Sequence, residues 1–156
     1  MPIDEHRFRQ VLGHFASGVT VVTTVHDDYL YGMTVSSFAS ASLKPPLVLI
    51  CVDSSLTTRT AIETAGKFAI NILSQNQEEL SRRFATREND KFTGVAWHMS
   101  QNGLPLLDGV LAQIECRVYN AYPAGDHTIF LGEVIETEIG QGAPLLYYRR
   151  GYHELA

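Results

Sequence analysis

Apolar residues recur along the chain at spacings that predict helices in some segments and strands in others. A first helix face is predicted by four apolar residues at the i, i+3, i+4, i+7 spacing: Phe8, Val11, Leu12 and Phe15. Asp4 and Glu5 precede them, where the dipole of a helix favours negative charge. Gly18 follows, and a glycine at such a place is typical of a helix end.

Strands are predicted after this helix. Gly18–Val25 is almost wholly β-branched, which favours a pleated conformation over a helix. His26–Asp28 is a predicted turn, so Tyr29–Val35 would return as the second strand of a hairpin. After a Pro-Pro break, Leu47–Val52 is continuously apolar, and we expect a strand that is buried on both faces.

Two further helices are predicted on either side of a strand. Ser55–Ala65 opens with hydroxyl residues that can cap the free N–H groups of a helix start. Phe68–Leu73 is a predicted strand. Ser74–Gln77 matches a capping box, and Glu78–Ala85 would continue as the third helix.

The last third of the chain predicts long strands. Residues 86–109 contain charges, glycines and a proline, which predicts a loop with room for one short strand. Val110–Tyr119 alternates with period two, Gly125–Asp126 is a turn, and Thr128–Ile139 is a second long strand. Leu145–Tyr148 is the last predicted strand. Six or seven clustered strands and three helices favour one antiparallel barrel or sandwich with helices outside, and not a doubly wound sheet.

Composition supports a single globular domain over residues 1–156. The 17.3 kDa chain is 45% hydrophobic and 19% charged, which suits a packed core. It has no apolar run of membrane-spanning length and no signal-peptide pattern, so we expect a cytoplasmic protein that neither enters a membrane nor is exported. Cys51 and Cys116 are far apart, which indicates buried, reduced thiols. A net charge of −5 without a basic run argues against a nucleic-acid partner.

Common catalytic motifs are missing from the sequence. It has no GxGxxG, no GxxxxGK[ST], no HExxH and no GxSxG, and its six histidines are scattered. We therefore expect no metal site and no side-chain nucleophile. If the protein is an enzyme, a bound cofactor would have to supply the chemistry.

Two segments in the first half place hydroxyl groups where a strand ends. Gly32–Ser42 fills with small residues that would let a flat ring approach the backbone, although strand-end caps and turns explain the same pattern. Cys51–Thr58 runs from an apolar strand into hydroxyls at a helix start, which suits either a phosphate or a simple N-cap. Asp53 would repel a phosphate, so we expect it to point away or to serve as the cap.

Two later segments also allow both a functional and a purely structural explanation. Gly125–Thr128 is a predicted hairpin turn, and it places His127 where a side chain can project into a barrel mouth. Tyr147–His153 sets aromatic residues beside cations, which suits a ligand edge, a dimer contact or a plain surface.

Taken together, these segments and two shorter strings occur in the order GMTVSSFASASLKPPLVLICVD, FAINIL, SRRFA, GDHTIFLGEV and PLLYYRRGYH. The series resembles the flavin reductase-like family, the short-chain NAD(P)H:flavin oxidoreductases with an FMN-binding, Greek-key split β-barrel. Within that family the similarity points to reductase components of two-component flavin-dependent aromatic monooxygenases. The resemblance runs from Phe8 to His153 and favours the functional explanation at each candidate segment.

The resemblance implies a set of cofactor contacts. The isoalloxazine ring would be held, largely through backbone groups, by Thr34, Val35, Ser36, Ser37, Ser40 and Ser42. The ribityl chain and phosphate would meet Cys51, Val52, Asp53, Ser54, Ser55 and Thr57, with Phe84 and Ala85 closing that end. The nicotinamide side would be lined by His127, Tyr152 and His153. Some family members carry Asn where this chain has Ser36, so the contact to the polar edge of the ring can differ here.

The implied activity is hydride transfer from NADH or NADPH to FMN or FAD by a homodimer, which supplies reduced flavin to a partner oxygenase. Such transfer needs two stacked rings at about 3–3.5 Å, and we expect His127 to position the nicotinamide. Two alternatives stay open. One is a flavin-binding redox sensor or carrier, and the other is a non-catalytic barrel that binds a small apolar ligand.

Overall fold

Most of the chain forms antiparallel strands, in agreement with its β-branched and alternating segments. The computed structural model describes residues 2–156. The helices are α1 (Glu5–Leu12), α2 (Thr57–Ala65) and α3 (Glu78–Phe84). The strands are β1 (Ser17–Gly18), β2 (Thr20–His26), β3 (Tyr29–Val35), β4 (Phe38–Leu43), β5 (Pro46–Asp53), β6 (Lys67–Ile72), β7 (Trp97–Met99), β8 (Pro105–Leu107), β9 (Ala112–Ala124), β10 (His127–Ile139), β11 (Leu146–Tyr148) and β12 (Gly151–His153). The six or seven predicted strands are all represented, and most of the additional ones are short.

Seven of these strands form one antiparallel sheet in the order β3-β2-β6-β9-β10-β5-β4. Both predicted hairpins are confirmed: β2 pairs with β3 around Asp27–Asp28, and β9 pairs with β10 around Gly125–Asp126. Two smaller sheets contain β1-β11-β12 and β7-β8.

The large sheet curls until its two ends share one hydrophobic core. Val22 of β2 and Val35 of β3 are buried in the same cluster as Ile50 and Val52 of β5. Within residues 2–156, however, no ladder of hydrogen bonds joins the two edge strands, β3 and β4. The barrel is therefore split, and the expected mainly β, antiparallel split barrel with additional helices is confirmed.

The core is closely packed around Cys116. A Cβ added at Gly132 would lie 2.7 Å from the Cys116 Cβ and 2.6 Å from the Phe68 Cζ, so only glycine fits there. Burial, with a smaller contribution from the neighbouring Glu115 charge, raises the pKa of the Cys116 thiol to about 12. The expectation of buried thiols holds for Cys116, whereas Cys51 is only half-buried.

The apolar run of β5 is buried on one face only. Val48, Ile50 and Val52 are buried, whereas the alternate residues Leu47, Leu49 and Cys51 are half-buried. The expectation of burial on both faces is wrong because an antiparallel barrel sheet presents one face to the core and the other outward.

The start of α3 keeps half of the predicted capping box. The Ser74 backbone N–H donates to the Gln77 Oε1 at 2.9 Å, which is the return bond of such a box. The Ser74 hydroxyl instead donates to the Asn76 Oδ1 at 2.6 Å, and Gln77 becomes the N-cap. The helix ends at Phe84, one residue before the predicted end.

The segment 86–109 contains the β7–β8 hairpin, so it holds two short strands where one was expected. Polar contacts fasten this hairpin to the outside of the barrel. The Thr23 hydroxyl donates to the Pro105 carbonyl at 2.6 Å, and the Leu107 N–H donates to the Asn71 Oδ1 at 2.9 Å. Both faces of the sheet are therefore covered at this point.

The first helix forms, but its apolar residues remain about half exposed. The Asp4 Oδ2 accepts a hydrogen bond from the Arg7 N–H at 3.1 Å, and the C-cap is Gly13 rather than the predicted Gly18. No residue of α1 is buried, and Phe15, just beyond it, is 81% exposed. We call the four exposed residues the apolar side of α1: Phe8, Val11, Leu12 and Phe15.

Candidate functional site

A groove of about 610 Å³ lies between β3, the start of α2 and the chain that follows α3. We call it the β3–α2 groove. Five of the predicted site residues line it: Thr34, Ser55, Thr57, Phe84 and Ala85. Its other lining residues include two cations, Arg87 and Lys91, which are not among the predicted site residues.

The N-terminus of α2 opens into this groove without a side-chain cap. Its N-cap is Leu56, which makes no side-chain hydrogen bond to the helix. The expectation that Ser55 caps the helix is wrong because the Ser55 N–H and hydroxyl both donate to the Asp53 Oδ1, at 2.9 and 2.8 Å. Free N–H groups and a helix dipole favour an anion. This end of the groove is therefore suited to a phosphate.

The cation Lys91 forms part of the groove wall. Its half-buried ammonium group donates to the Gly32 carbonyl at 3.0 Å and to the Phe84 carbonyl at 3.1 Å. These bonds connect β3 to the end of α3. Burial lowers the pKa of Lys91, while the Glu88 carboxylate opposes that shift.

Asp53 lies between the groove and the predicted histidine. Its hydrogen bonds from Ser55 lower the pKa of Asp53, and the charges of His127 and Arg87 lower it further. Asp53 and His127 are also direct partners across the β5–β10 ladder. The His127 Nδ1 is 2.7 Å from the Asp126 Oδ1. The side chain of Asp53 is thus hydrogen-bonded to Ser55, a residue of the groove, and it does not cap α2.

The remaining residues of this corner fix its backbone. The Ser54 N–H donates to the Asp126 carbonyl at 2.9 Å, and the Ser54 hydroxyl is 2.9 Å from the Thr128 Oγ1. The loop before α2 is thereby attached to the β9–β10 turn.

The other predicted ring contacts lie along β4 and the neighbouring end of β5. The Ser37 hydroxyl donates to the Cys51 carbonyl at 3.1 Å and accepts from the Cys51 N–H at 3.3 Å. Ser36 and Ser40 are exposed, and Ser42 is half-buried. The side chains of Val35 and Val52 are buried in the barrel core, so only their backbone groups can reach a ligand.

Tyr152 and His153 lie on β12, which belongs to a different sheet from β10, the strand of His127. The Tyr152 hydroxyl is 2.6 Å from the Ser81 Oγ, and the Thr34 hydroxyl donates to the Ser81 carbonyl at 2.6 Å. Tyr152 is therefore linked through α3 to a residue of the groove. His153 is exposed, with its ring 6.0 Å from that of Tyr148.

Arg87 and Lys91 were missed because they fall in a segment predicted as a loop. Their signal is weak but present: two cations follow the string SRRFA within a few residues. Only the fold brings that segment beside the start of α2. Within residues 2–156, no group of three or more His, Cys, Asp or Glu residues could hold a metal, and no helix is long and apolar enough to cross a membrane.

The fold is an antiparallel split barrel, and the groove at its edge is suited to a phosphate. These two features define the class of this protein. The chain belongs to the flavin reductase-like family, since the family model described as Flavin reductase like domain matches residues 12–156. The family expected from the sequence is confirmed.

The names of individual relatives are consistent with this family. The reductase component of a 4-nitrophenol 4-monooxygenase/4-nitrocatechol 2-monooxygenase from Rhodococcus opacus is 48% identical over 148 residues, which are 95% of this chain and 80% of that protein. An FMN reductase (NADH) from Agrobacterium fabrum is 46% identical and covers 90% of this chain, over 80% of its own length. The solved structure of an NADH:FAD oxidoreductase from Streptomyces globisporus covers 100% of this chain and 96% of its own, with a TM-score of 0.95 at 38% identity.

The link between Tyr152 and Ser81 can be tested by removing one hydroxyl. Tyr152→Phe should lower the free energy of unfolding by about 1–3 kcal/mol, because it leaves the buried Ser81 hydroxyl without this partner. Tyr147→Phe is the matched control: its ring packs against that of Tyr152 at 5.3 Å. Urea unfolding should give an unchanged value for the control. Equal losses of unfolding free energy in both variants would show that the Tyr152–Ser81 hydrogen bond makes no specific contribution to stability.

Proposed function

We propose that this protein is an NAD(P)H-dependent flavin reductase that supplies reduced FMN or FAD to a partner monooxygenase. The observation that carries the proposal is the β3–α2 groove, in which an uncapped helix start, hydroxyl groups and two cations meet. Membership of the flavin reductase-like family supports it, as do two relatives named for NADH and one named for a monooxygenase.

The residues present fit a flavin nucleotide in the following way. Thr57 and the first turn of α2 would hold the phosphate, because both donors of Ser55 are taken by Asp53, and Arg87 and Lys91 would supply positive charge. The chain from Thr34 to Ser37 would meet the ring through its backbone. When bound, the flavin supplies a ring that accepts a hydride from the nicotinamide and passes on the electrons.

His127 would position the nicotinamide, and it acts through orientation. Two contacts support this role: the His127 Nδ1 is 2.7 Å from the Asp126 Oδ1, and His127 is the strand partner of Asp53. A ring fixed in this way can orient the carboxamide of the nicotinamide without taking part in hydride transfer itself.

The decisive assay is steady-state oxidation of NADH and NADPH with FMN, FAD or riboflavin, together with an absorption spectrum of the purified protein. We expect rapid oxidation and a KM for FMN or FAD at least about tenfold below that for riboflavin, which lacks the phosphate. A yellow protein that oxidises neither coenzyme would favour a redox sensor or carrier. A protein that stays colourless after soaking in FMN and FAD would favour a barrel for a small apolar ligand.

His127→Ala should raise the KM for the nicotinamide coenzyme by about tenfold and leave flavin affinity within about twofold, because only nicotinamide positioning is lost. His98→Ala is the matched control, since the His98 Nδ1 lies 2.6 Å from the Asp108 Oδ1 in a similar exposed pair. KM values for both substrates and a flavin titration supply the measurement. Equal losses for coenzyme and flavin would contradict the assigned role.

We also infer that the protein works as a homodimer in a reducing, cytoplasmic setting. The apolar side of α1 supports the first inference, because large apolar side chains clustered on one exposed helix face usually meet a partner. Two free cysteines support the second. A second copy of the chain would cover the apolar side of α1 in the dimer.

Phe15→Glu should weaken the dimer at least about tenfold, because it places a charge in the apolar contact. Leu43→Glu is the control, because Leu43 is 90% exposed but lies on β4. Light scattering over a dilution series would measure both dissociation constants. A wild-type protein that is monomeric at all concentrations would exclude the dimer.

A further inference from the structure

A second groove, of about 480 Å³, lies between α1 and the turn that joins β11 to β12. We call it the α1 groove. Six of its lining residues are basic: His6, Arg7, Arg9, His14, Arg149 and Arg150. Among the lining residues described between positions 2 and 156, none is an Asp or a Glu.

This concentration of positive charge is unusual for this chain. The protein has a net charge of −5, yet four of its 12 lysines and arginines meet in one concavity. Nearby carboxylates do little to neutralise them. Glu5 is 4.0 Å from Arg9 in a highly exposed pair, and Asp4 uses one oxygen to cap α1. Like charges brought together repel one another, so such a cluster favours an anionic ligand.

The turn adds an independent observation. Arg149 and Arg150 have φ angles of 50° and 65°, in the left-handed region. Asp27 and Asp28 adopt nearly the same angles in the β2–β3 turn, where aspartates are well tolerated. Arginines are disfavoured at such positions, which indicates that their side chains have a use there. The Arg149 N–H donates to the Gly13 carbonyl at 2.8 Å, so the turn is fixed against the end of α1.

Most of the groove lies on the other side of α1 from its apolar residues. At about 100° per residue, His6, Gln10 and Gly13 fall on one side of the helix axis, and Phe8 and Leu12 fall on the other, while Val11 lies at the rim and lines the groove as well. A partner that covers Phe8 and Leu12 would therefore leave most of the α1 groove open.

We propose that the α1 groove binds the phosphate groups of a nucleotide, with the pyrophosphate of the nicotinamide dinucleotide as its source, a choice that rests on the function proposed above. Guanidinium groups donate two parallel hydrogen bonds to phosphate oxygens, and several of them can hold two linked phosphates. The concave shape and volume suit a small anion better than a flat macromolecular surface. The β3–α2 groove has its own cations, so the two grooves would serve different nucleotides.

The test uses inorganic pyrophosphate and orthophosphate as probes and calorimetry as the readout. Arg149→Gln/Arg150→Gln should weaken pyrophosphate binding at least about tenfold, since two charge-assisted contacts are lost. Lys44→Gln/Arg117→Gln is the control, because it removes two charges outside both grooves and should bind as the wild type does. Tighter binding of pyrophosphate than of orthophosphate supports a dinucleotide source. A wild type that binds neither anion, or equal binding in the two double variants, overturns the proposal.

Kinetics then identify the source of the phosphates. The Arg149→Gln/Arg150→Gln variant should show a KM for NADH raised about tenfold, with kcat and the KM for flavin within about twofold. An unchanged KM for NADH together with lost pyrophosphate binding overturns the dinucleotide assignment. If the wild type oxidises no NADH with any flavin, the proposed function fails, while the calorimetric comparison still decides whether the groove binds phosphate.

Discussion

The candidate site depends on one choice of hydrogen-bond partner where β5 passes into α2. The Asp53 carboxylate accepts both donors of Ser55 and caps a turn, not the helix. The first turn of α2 is left without a side-chain cap and faces the β3–α2 groove. A carboxylate at the helix cap would place a negative charge where an anion has to bind. Asp53 also pairs with His127 across the β5–β10 ladder. It therefore affects both the phosphate end of the groove and the place of His127.

Local charge tells more about ligands here than net charge does. The acidic composition argues against nucleic acid, but it conceals two concave surfaces lined by cations. In each case the groove is formed by segments that are distant in sequence. Arg87 and Lys91 meet the start of α2, and the Arg149–Arg150 turn meets α1. Cations gathered in a cleft act together on a bound anion, whereas dispersed surface charges are screened by salt.

The first helix takes part in both proposed contacts, the one with an anion in the α1 groove and the one with a second copy of the chain. Its basic residues line a groove with its own chain, and its apolar residues are largely exposed. A helix that packs on neither the barrel core nor a neighbouring helix gains little stability alone, because a short isolated helix is marginal in water. We therefore connect the formation of α1 with the assembly that covers its apolar side.

The sequence by itself determined the elements of this protein and the family to which it belongs. The β-branched run of β2, the alternation in β9 and the turns at Asp27–Asp28 and Gly125–Asp126 are local signals, and local signals suffice to place strands and hairpins. Five ordered strings were enough to indicate the family. Helix caps were less predictable. Ser55 can either cap the start of α2 or donate to Asp53, two residues before it, and the local sequence does not distinguish the two.

Only the tertiary structure decided which residues meet. It placed Thr34, Ser55 and Phe84 in one groove, and it brought in Arg87 and Lys91 from a segment that looked like an ordinary loop. It put Tyr152 and His127 in different sheets, and it showed that β5 is buried on one face. These outcomes depend on strand order and on the curl of the sheet, which are set by contacts between distant parts of the chain, and no local pattern of residues encodes them.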